Sequence, residues 1–282
     1  MKSFLRIMII VSVSSWPAMS ALGKCSPDSV QVGPVCVDLY EASVWSVPAT
    51  NTAGNSNAGL IKKIQKGTVK LADLNAGGAT LVSPAAPIPV GTQLPSCDPG
   101  AFPASFPPNG NWTAPLYAVS VAGVLPTACA TWFQAEQACA LSGKRLLTNQ
   151  EFQRAAAGTP DTGADDGVTD CNISTAGAPV NTGSRSKCRS NWGARDMVGN
   201  VNEWVADWVP LSTVLFLGWK GGFSGDGMGL ADGPGAATTS DGPGAITRGG
   251  SWLEGTFAGV FKIDAGFNPA DAFPFIGFRC AR

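Results

Sequence analysis

Eight cysteines place the strongest constraint on how this chain of 282 residues can fold. An even number of cysteines in an exported chain predicts a framework of four disulfides, although spacing alone does not define the connectivity. Short loops favour pairing Cys25 with Cys36 and Cys171 with Cys188. Free reactive thiols, the alternative, are disfavoured in an oxidising compartment. The remaining four cysteines are Cys97, Cys129, Cys139 and Cys280.

The first twenty residues predict export. Lys2 and Arg6 precede the short apolar run IMIIVSV, and the small residues of PAMSA follow it. This is the pattern of a secretory signal peptide, with cleavage expected after Ser20 or Ala21. The run is too short to span a bilayer as a helix, which makes a membrane anchor the weaker alternative. We therefore expect a bacterial protein that is secreted, periplasmic or at the cell surface, with no transmembrane segment after cleavage.

The chain contains no histidine, and this excludes several kinds of chemistry. Histidine is the usual general base near neutral pH and the commonest ligand of transition metals. Ser-His-Asp and Cys-His catalysis are therefore excluded, as are zinc or iron sites held by histidines. A formal net charge of −1 gives no basic surface for nucleic acid.

Residues 21–282 are predicted to form a single α+β domain that is rich in loops. The segment 36–45, CVDLYEASVW, is expected to be an early strand, and residues 46–115 read as a loop-rich insertion with a solvated basic patch at IKKIQK. After residue 159 the sequence has few helix signals, and short strands joined by long loops fit it best.

Two helices are marked by their capping residues. The segment 131–144 opens with Thr131 followed by Gln134, and the segment 148–158 opens with Thr148 followed by Glu151. Both pairs match the capping box, in which the two side chains satisfy each other's backbone N–H groups. A glycine follows the last periodic residue of each helix, as a C-terminal cap requires. Both helices are expected to be structural.

The segment 193–208, GARDMVGNVNEWVADW, gathers oxygen-bearing side chains around a tight turn. Oxygen donors at short spacing suit a hard cation such as calcium. From spacing alone, a polar turn whose carboxylates cap backbone amides explains the segment equally well. The residues concerned are Asp196, Asn200, Asn202, Glu203 and Asp207.

With RGGSW at 248–252 and GFRCAR at 277–282, this segment resembles the sulfatase-modifying factor family, which includes the formylglycine-generating enzymes. The stretches CVDLYEAS and SGKRLLTNQEFQRAAAG are also similar to segments of that family, so the resemblance covers roughly residues 33–282 apart from the insertion. It implies a much-elaborated variant of the C-type lectin fold.

The resemblance also implies particular residue roles. A structural calcium ion would be held by the side chains of Asp196 and Glu203 and by the carbonyl groups of Gly199 and Val201. A second family calcium site begins at an Asn-Ile pair that matches residues 172–173, but its other ligands do not align. The family pairing of cysteines would join Cys139 to Cys280.

The catalytic residues of the formylglycine-generating enzymes do not carry over. Those enzymes bind copper through two cysteines just after the GGS-aromatic motif, and the matching positions here are Glu254 and Gly259. Neither side chain supplies a thiolate to a soft metal. No catalytic residue is therefore assigned, and the chain is expected not to share that enzymatic activity.

The tail, residues 248–282, resembles the variable proteins of diversity-generating retroelements, which mutate adenines in C-terminal codons such as AAC. Most residues between the fixed elements can be reached from AAC, whereas Glu254 and Lys262 cannot and would belong to the fixed frame. An ordinary core role for these residues is the alternative, but prolines and the lack of a clear period favour an exposed aromatic surface. The candidate ligand-binding residues are Leu253, Glu254, Phe257, Lys262, Asp264, Gly266, Phe267, Asp271, Phe273 and Phe275.

The sequence thus favours a secreted, non-catalytic binding protein. A scaffold stabilised by calcium and disulfides would present the tail to a protein or glycan ligand at a cell surface. One alternative is an enzyme of the sulfatase-modifying class with a displaced active site. Another is a structural domain of the cell envelope that has no partner at the tail.

Overall fold

The computed structural model describes residues 24–82, 97, 116–210, 217–218, 227–229 and 243–282. The expected signal peptide at residues 1–20 and most of residues 83–115 in the expected insertion lie outside these ranges. Within the described ranges, no helix is long and apolar enough to cross a membrane.

Four helices and thirteen strands make up the regular structure of the described residues. The helices are α1 (Ala58–Gln65), α2 (Leu71–Ala76), α3 (Trp132–Leu141) and α4 (Asn149–Ala156). The strands before α4 are β1 (Ser29–Val32), β2 (Val35–Asp38), β3 (Ser43–Ser46), β4 (Thr80–Val82), β5 (Leu116–Val119) and β6 (Arg145–Leu146). Those after it are β7 (Asn202–Pro210), β8 (Leu217–Gly218), β9 (Gly227–Gly229), β10 (Pro243–Arg248), β11 (Ile263–Phe267), β12 (Ile276–Phe278) and β13 (Cys280–Ala281).

The strands form three sheets. The six-stranded sheet has the order β12-β7-β10-β11-β9-β8, the four-stranded sheet β1-β2-β13-β6, and the three-stranded sheet β4-β3-β5. Strand β12 pairs in parallel with β7, and the short strand β13 lies between β2 and β6. Mixed sheets with few helices confirm the predicted α+β, loop-rich class.

The two predicted helices, α3 and α4, are present with the predicted caps. The Thr131 hydroxyl accepts the N–H of Gln134, whose side chain accepts the N–H of Thr131 in return. Thr148 and Glu151 make the same reciprocal pair at α4. Because these bonds are local in sequence, the spacing of three residues was enough to predict where each helix begins.

The early strand was predicted as one element, and this was wrong. The segment 36–45 contributes to β2 and then, after a break, to β3 in a different sheet. In the break, the N–H of Leu39 bonds to Asp28 and the N–H of Ala42 to Phe278, so the backbone leaves one sheet to reach the other. These partners are distant in sequence and left no local signal.

The first part of the expected insertion contains α1 and α2, which the sequence analysis did not predict. Leu60 and Ile64 of α1 are buried with Leu74 of α2 in a hydrophobic cluster against β3 and β5. Lys62 and Lys63 lie on the exposed side of α1. The basic run is therefore the polar face of a short amphipathic helix.

The four predicted disulfides are present, and they take up all eight cysteines. The pairs Cys25–Cys36 and Cys171–Cys188 close short loops. Cys139–Cys280 joins α3 to β13, and Cys97 is bonded to Cys129. The tail is thus covalently attached to the helical part of the domain.

Candidate functional site

The RGGSW motif brings the start of the tail close to the rest of the domain. Gly250 has a φ of 82°, and a Cβ at this position would lie 2.5 Å from the Cα of Ala258. A side chain here would be strained in conformation and would also collide with the returning chain. The glycine therefore allows residues 251–258 to fold back into a compact turn.

Two large apolar side chains of this turn are exposed. Leu253 has 42% of its surface exposed and Phe257 has 51%. Residues 255–257, which include Phe257, form a single 3₁₀ turn that is followed by the buried Ala258. Of the candidate residues, Leu253 and Phe257 are thus large apolar side chains exposed to solvent.

Three other candidate phenylalanines lie inward, which corrects the expectation that they form an exposed patch. The ring centroids of Phe267 and Phe273 are 5.2 Å apart, and those of Phe273 and Phe275 are also 5.2 Å apart. Phe275 is buried, and the other two pack against the same core cluster. The tail backbone docks here because Phe273 and Phe275 accept N–H bonds from Cys129 and Asn202.

Lys262 is also buried, although it was expected among the ligand-binding residues. Its side chain is 3% exposed, and its ammonium group lies 3.6 Å from Glu254 and 3.4 Å from Asp264. The charge is thus surrounded by carboxylates of the tail itself. These two carboxylates make the burial possible, because a buried lysine without such partners would be strongly disfavoured.

The remaining candidates stabilise local turns. Asp264 accepts the N–H of Gly266, and Asp271 accepts the N–H of Asn268. These short-range bonds are typical of aspartates that shape the backbone. Asp264, Gly266 and Asp271 are all partly exposed.

An acidic loop lies against this turn. The carbonyl of Ile173 accepts the N–H of Gly255, and the Asp161 carboxylate accepts the N–H of Val260. Asp165 accepts N–H groups from residues 173, 174 and 175 with one oxygen, and the N–H of Gly167 with the other. The carboxylates of this loop, residues 161–170, therefore hold its own backbone and that of the neighbouring segments through N–H bonds.

The candidate calcium ligands lie in a buried charged cluster next to the tail. The guanidinium of Arg279 donates to both oxygens of Glu203 at 2.7–3.1 Å. Asp196 accepts the N–H of Gly183 at 2.6 Å. Glu41, which the sequence analysis missed, accepts from the amide of Asn200 at 2.5 Å and from the N–H of Val201 at 3.1 Å.

The cluster contains more negative than positive charge. Burial raises the pKa of Glu41 well above its usual value, and the charges of Asp196 and Glu203 act in the same direction. Burial likewise raises the pKa of Asp196 to about 6 and raises the pKa of Glu203. The Arg279 guanidinium lowers the pKa of all three carboxylates, but burial raises these pKa values more. Each carboxylate is therefore charged less readily than it would be in water.

In this arrangement the residues do not fit a calcium ion. Both oxygens of Glu203 are taken by Arg279, and one Asp196 oxygen is taken by a backbone N–H. Among the described residues, no group of three or more His, Cys, Asp or Glu side chains is arranged to hold a metal ion. Calcium stays a prediction, and binding would require Glu203 to leave its contact with Arg279.

The other oxygen-bearing residues of segment 193–208 diverge from this cluster. Asn202 donates to the Glu254 carboxylate at 2.8 Å, which connects β7 to the turn of the tail. Asp207 accepts the N–H of Asn149 at the start of α4. The polar side chains of this short segment therefore have three separate sets of partners.

Comparison with known proteins gives a match to one family model. The model describes the sulfatase-modifying factor enzyme 1-like domain and matches residues 109–282. No curated protein matches the chain.

Several solved structures are similar to the chain at low identity. PvdO from Pseudomonas aeruginosa is 19% identical with a TM-score of 0.40, covering 88% of this chain and 80% of that chain. The Major Tropism Determinant I1 Variant is 17% identical with a TM-score of 0.38, covering 88% of this chain and 62% of that chain. Treponema denticola variable protein 1 is 22% identical with a TM-score of 0.35, covering 56% of this chain and 71% of that chain.

The chain thus spans less than two thirds of the Major Tropism Determinant I1 chain, and 37% of the P3c variant chain. The family model, by contrast, matches more than half of this chain and includes the turn at 251–258, the buried cluster's Arg279 and the tail. The chain belongs to the sulfatase-modifying factor enzyme 1-like family.

Proposed function

We propose that this chain is an exported, non-catalytic binding protein whose tail presents a ligand-binding surface. The observation that carries the proposal is the pair of exposed apolar side chains, Leu253 and Phe257, on one compact turn. Exposed large apolar groups on a rigid support are typical of interaction sites. The partner would be a protein or glycan at a cell surface.

The backbone around these two residues is held from several sides. The N–H of Trp252 bonds to Asn200, that of Gly255 to Ile173, and that of Gly259 to Gly249. These contacts do not involve the side chains of Leu253 or Phe257. The turn is therefore held by backbone bonds that a replacement at either position would keep, which is what a surface with varying contact residues needs.

The burial of Lys262 supports the division of the tail into a fixed frame and a variable part. Of the ten candidate residues, Lys262 and Glu254 are the two that mutation of an AAC codon cannot produce, and their charged groups lie 3.6 Å apart. Phe257 and Leu253, which such mutation can produce, are exposed. Under this proposal, diversification at Leu253 and Phe257 would change the surface and leave the pair of Lys262 and Glu254 untouched.

The same positions argue against the oxidase chemistry of the formylglycine-generating enzymes. Glu254 and Gly259 stand where those enzymes have their two cysteines, and all eight cysteines of this chain are in disulfides. A copper ion bound by thiolates would have no ligands without reduction of a disulfide. The family scaffold is proposed to serve binding alone.

Photocrosslinking on intact cells tests the proposal. Phe257 is replaced by p-benzoylphenylalanine, and the matched control carries the same group at Trp192, an aromatic residue outside the tail that is 42% exposed. We expect a specific adduct from position 257 and none from position 192. Equal or absent adducts at both positions would count against a binding role of the tail.

Sequencing of the gene in many cells of one lineage tests whether the tail is diversified. The codons for residues 248–282 and the flanking DNA are read. A nearby near-copy that differs only at its adenines would support diversification. An invariant tail without such a copy would remove the retroelement part of the proposal and leave a binding protein with a fixed ligand.

A further inference from the structure

One turn of the tail holds an unusual concentration of buried polar atoms without partners. In the described part of the chain, eight buried side-chain nitrogen or oxygen atoms have no hydrogen-bond partner. Four of the eight belong to the turn at 251–254 and to the strand residue bonded to it. They are Ser251 Oγ, Trp252 Nε1, Glu254 Oε2 and Asn202 Oδ1.

Hydrogen bonds connect three of these four residues, and Trp252 follows one of them in the chain. The N–H of Glu254 donates to the carbonyl of Ser251 at 3.3 Å, and the amide of Asn202 donates to Glu254 Oε1 at 2.8 Å. Asn202 and Ser251 are fully buried and Trp252 is 7% exposed. The side chain of Glu254, 16% exposed, lies between this group and solvent.

Stability alone does not explain the group. A buried donor or acceptor without a partner costs free energy, and an apolar residue of similar shape avoids that cost. The neighbouring core atoms are mostly satisfied, whereas this turn retains four that are not. Unsatisfied polar groups that persist together in one place suit a site that forms its hydrogen bonds with a ligand.

The unpartnered atoms also define the chemistry of that ligand. Ser251 and Trp252 offer donors, while Asn202 and Glu254 offer acceptors. The carboxylate of Glu254 already has a counter-charge in the ammonium of Lys262, at 3.6 Å. A ligand of either charge would disturb this balance, so a neutral group that both donates and accepts fits best. Hydroxyl groups have this property.

The surroundings favour a sugar as the source of the hydroxyls. Leu253 and Phe257, 42% and 51% exposed, flank Glu254 on the same turn. A pyranose ring has an apolar face of C–H groups and an edge of hydroxyls. The ring face could pack on these two side chains while hydroxyls reach the polar atoms once the Glu254 side chain changes rotamer.

We propose that the turn at 251–257, together with Asn202, binds a neutral sugar residue. The inference rests on the proposed binding function and names its ligand class. The polar atoms orient the sugar hydroxyls, and the exposed apolar pair covers the ring. The site includes Glu254, which stands where the family enzymes have a cysteine. Under this proposal, the sugar is bound there and not chemically changed.

Saturation-transfer NMR with the full chain tests the site. The probes are the methyl glycosides of glucose, galactose, mannose and N-acetylglucosamine. We expect at least one to bind, and Ser251→Ala to bind it about tenfold more weakly. Ser190→Ala is the matched control, because its hydroxyl is also buried and unpartnered but lies outside the turn. It should bind the sugar like the wild type.

Melting temperatures without sugar separate a binding role from a structural one. Removal of an unpartnered hydroxyl should leave the melting temperature of Ser251→Ala unchanged or raised. If that variant fails to fold, Trp252→Phe, which has a smaller aromatic ring and lacks the N–H donor, takes its place. Its sugar affinity should likewise fall.

Two outcomes would overturn the sugar site. One is the absence of binding by the wild type for all four glycosides, and the other is unchanged affinity in Ser251→Ala. If residue 257 still crosslinks to a partner in either case, the proposed binding function stands and only the ligand class is wrong. If sugars bind but no crosslink forms at 257, the macromolecular partner is wrong and the sugar site stands.

Discussion

Phenylalanine serves two different tasks within a short stretch of the tail. Phe257 is half-exposed on the turn, whereas Phe275 is buried in the core beside Phe273 and Phe267. The difference arises from the backbone. Residues 273–275 accept hydrogen bonds from Cys129 and Asn202 and are drawn inward, while the 3₁₀ turn directs Phe257 outward.

Alanine substitutions at these two positions should therefore differ in their effect on folding. Phe275→Ala should lower the free energy of unfolding by about 3–5 kcal/mol, because it leaves a cavity in a packed aromatic stack. Phe257→Ala should change it by roughly 0.5 kcal/mol or less, as is usual for exposed residues. Urea denaturation followed by tryptophan fluorescence measures both. Similar losses in the two variants would mean that Phe257 belongs to the core.

At the scale of elements, the carboxylate of Asp165 joins the acidic loop to residues 173–175 next to the tail. Burial acts to raise the pKa of Asp165, but the N–H groups of residues 175, 174 and 167 outweigh it and lower the pKa to about 2. A depressed pKa stabilises the folded protein above the unfolded value near 4, and this stabilisation is lost as the pH falls through the folded value.

The stability of the wild type should therefore fall between about pH 4 and pH 2 partly through Asp165. Asp165→Asn should be less stable at neutral pH, since an amide cannot accept four N–H groups as a carboxylate does. It should also lack the Asp165 part of the acid-dependent loss. Melting temperatures from pH 2 to pH 7 measure this, and parallel curves for the two proteins would contradict the assignment.

At this scale, the sequence predicted the contacts between residues that are close along the chain and missed those between distant residues. The caps of α3 and α4 act over four residues and were predicted from Thr131 and Thr148. The position of Glu41 depends on Asn200 and Val201, far along the chain, and no local pattern indicates it. The inward turn of Phe275 depends on Asn202 in the same way.

The candidate site shows the same limit. The order of motifs identified the family and placed Glu254 at a former catalytic position, and its exposed neighbours were predicted as contacts. The pairing of Lys262 with Glu254 could not be predicted from the sequence, nor could the unpartnered atoms of Ser251 and Trp252. Hydrogen-bond satisfaction is a property of the packed molecule, so residue types alone could not predict it.

At the scale of the whole molecule, the disulfides differ in how much chain they constrain. Cys139–Cys280 has a sequence separation of 141 residues, whereas Cys25–Cys36 has a separation of 11. In the chain-entropy account, a cross-link stabilises mainly by restricting the unfolded chain, and longer loops are restricted more. The long link should therefore contribute more to stability.

Replacement of each pair by alanines tests this. Cys139→Ala with Cys280→Ala should cost about 2 kcal/mol more than Cys25→Ala with Cys36→Ala. Urea denaturation of both double variants gives the comparison. An equal loss would show that strain or residual structure in the unfolded chain offsets the difference in loop length.

The inner position of β13 has a consequence for how the protein is made. Strand β2, near the start of the described chain, pairs with β13 through Val37 and Ala281 and can complete its sheet only after that distant segment has emerged. Until then, one edge of β2 stays open to other nascent chains. Such long-range pairing slows folding, and the open edge of β2 exposes the chain to aggregation until β13 has paired with it.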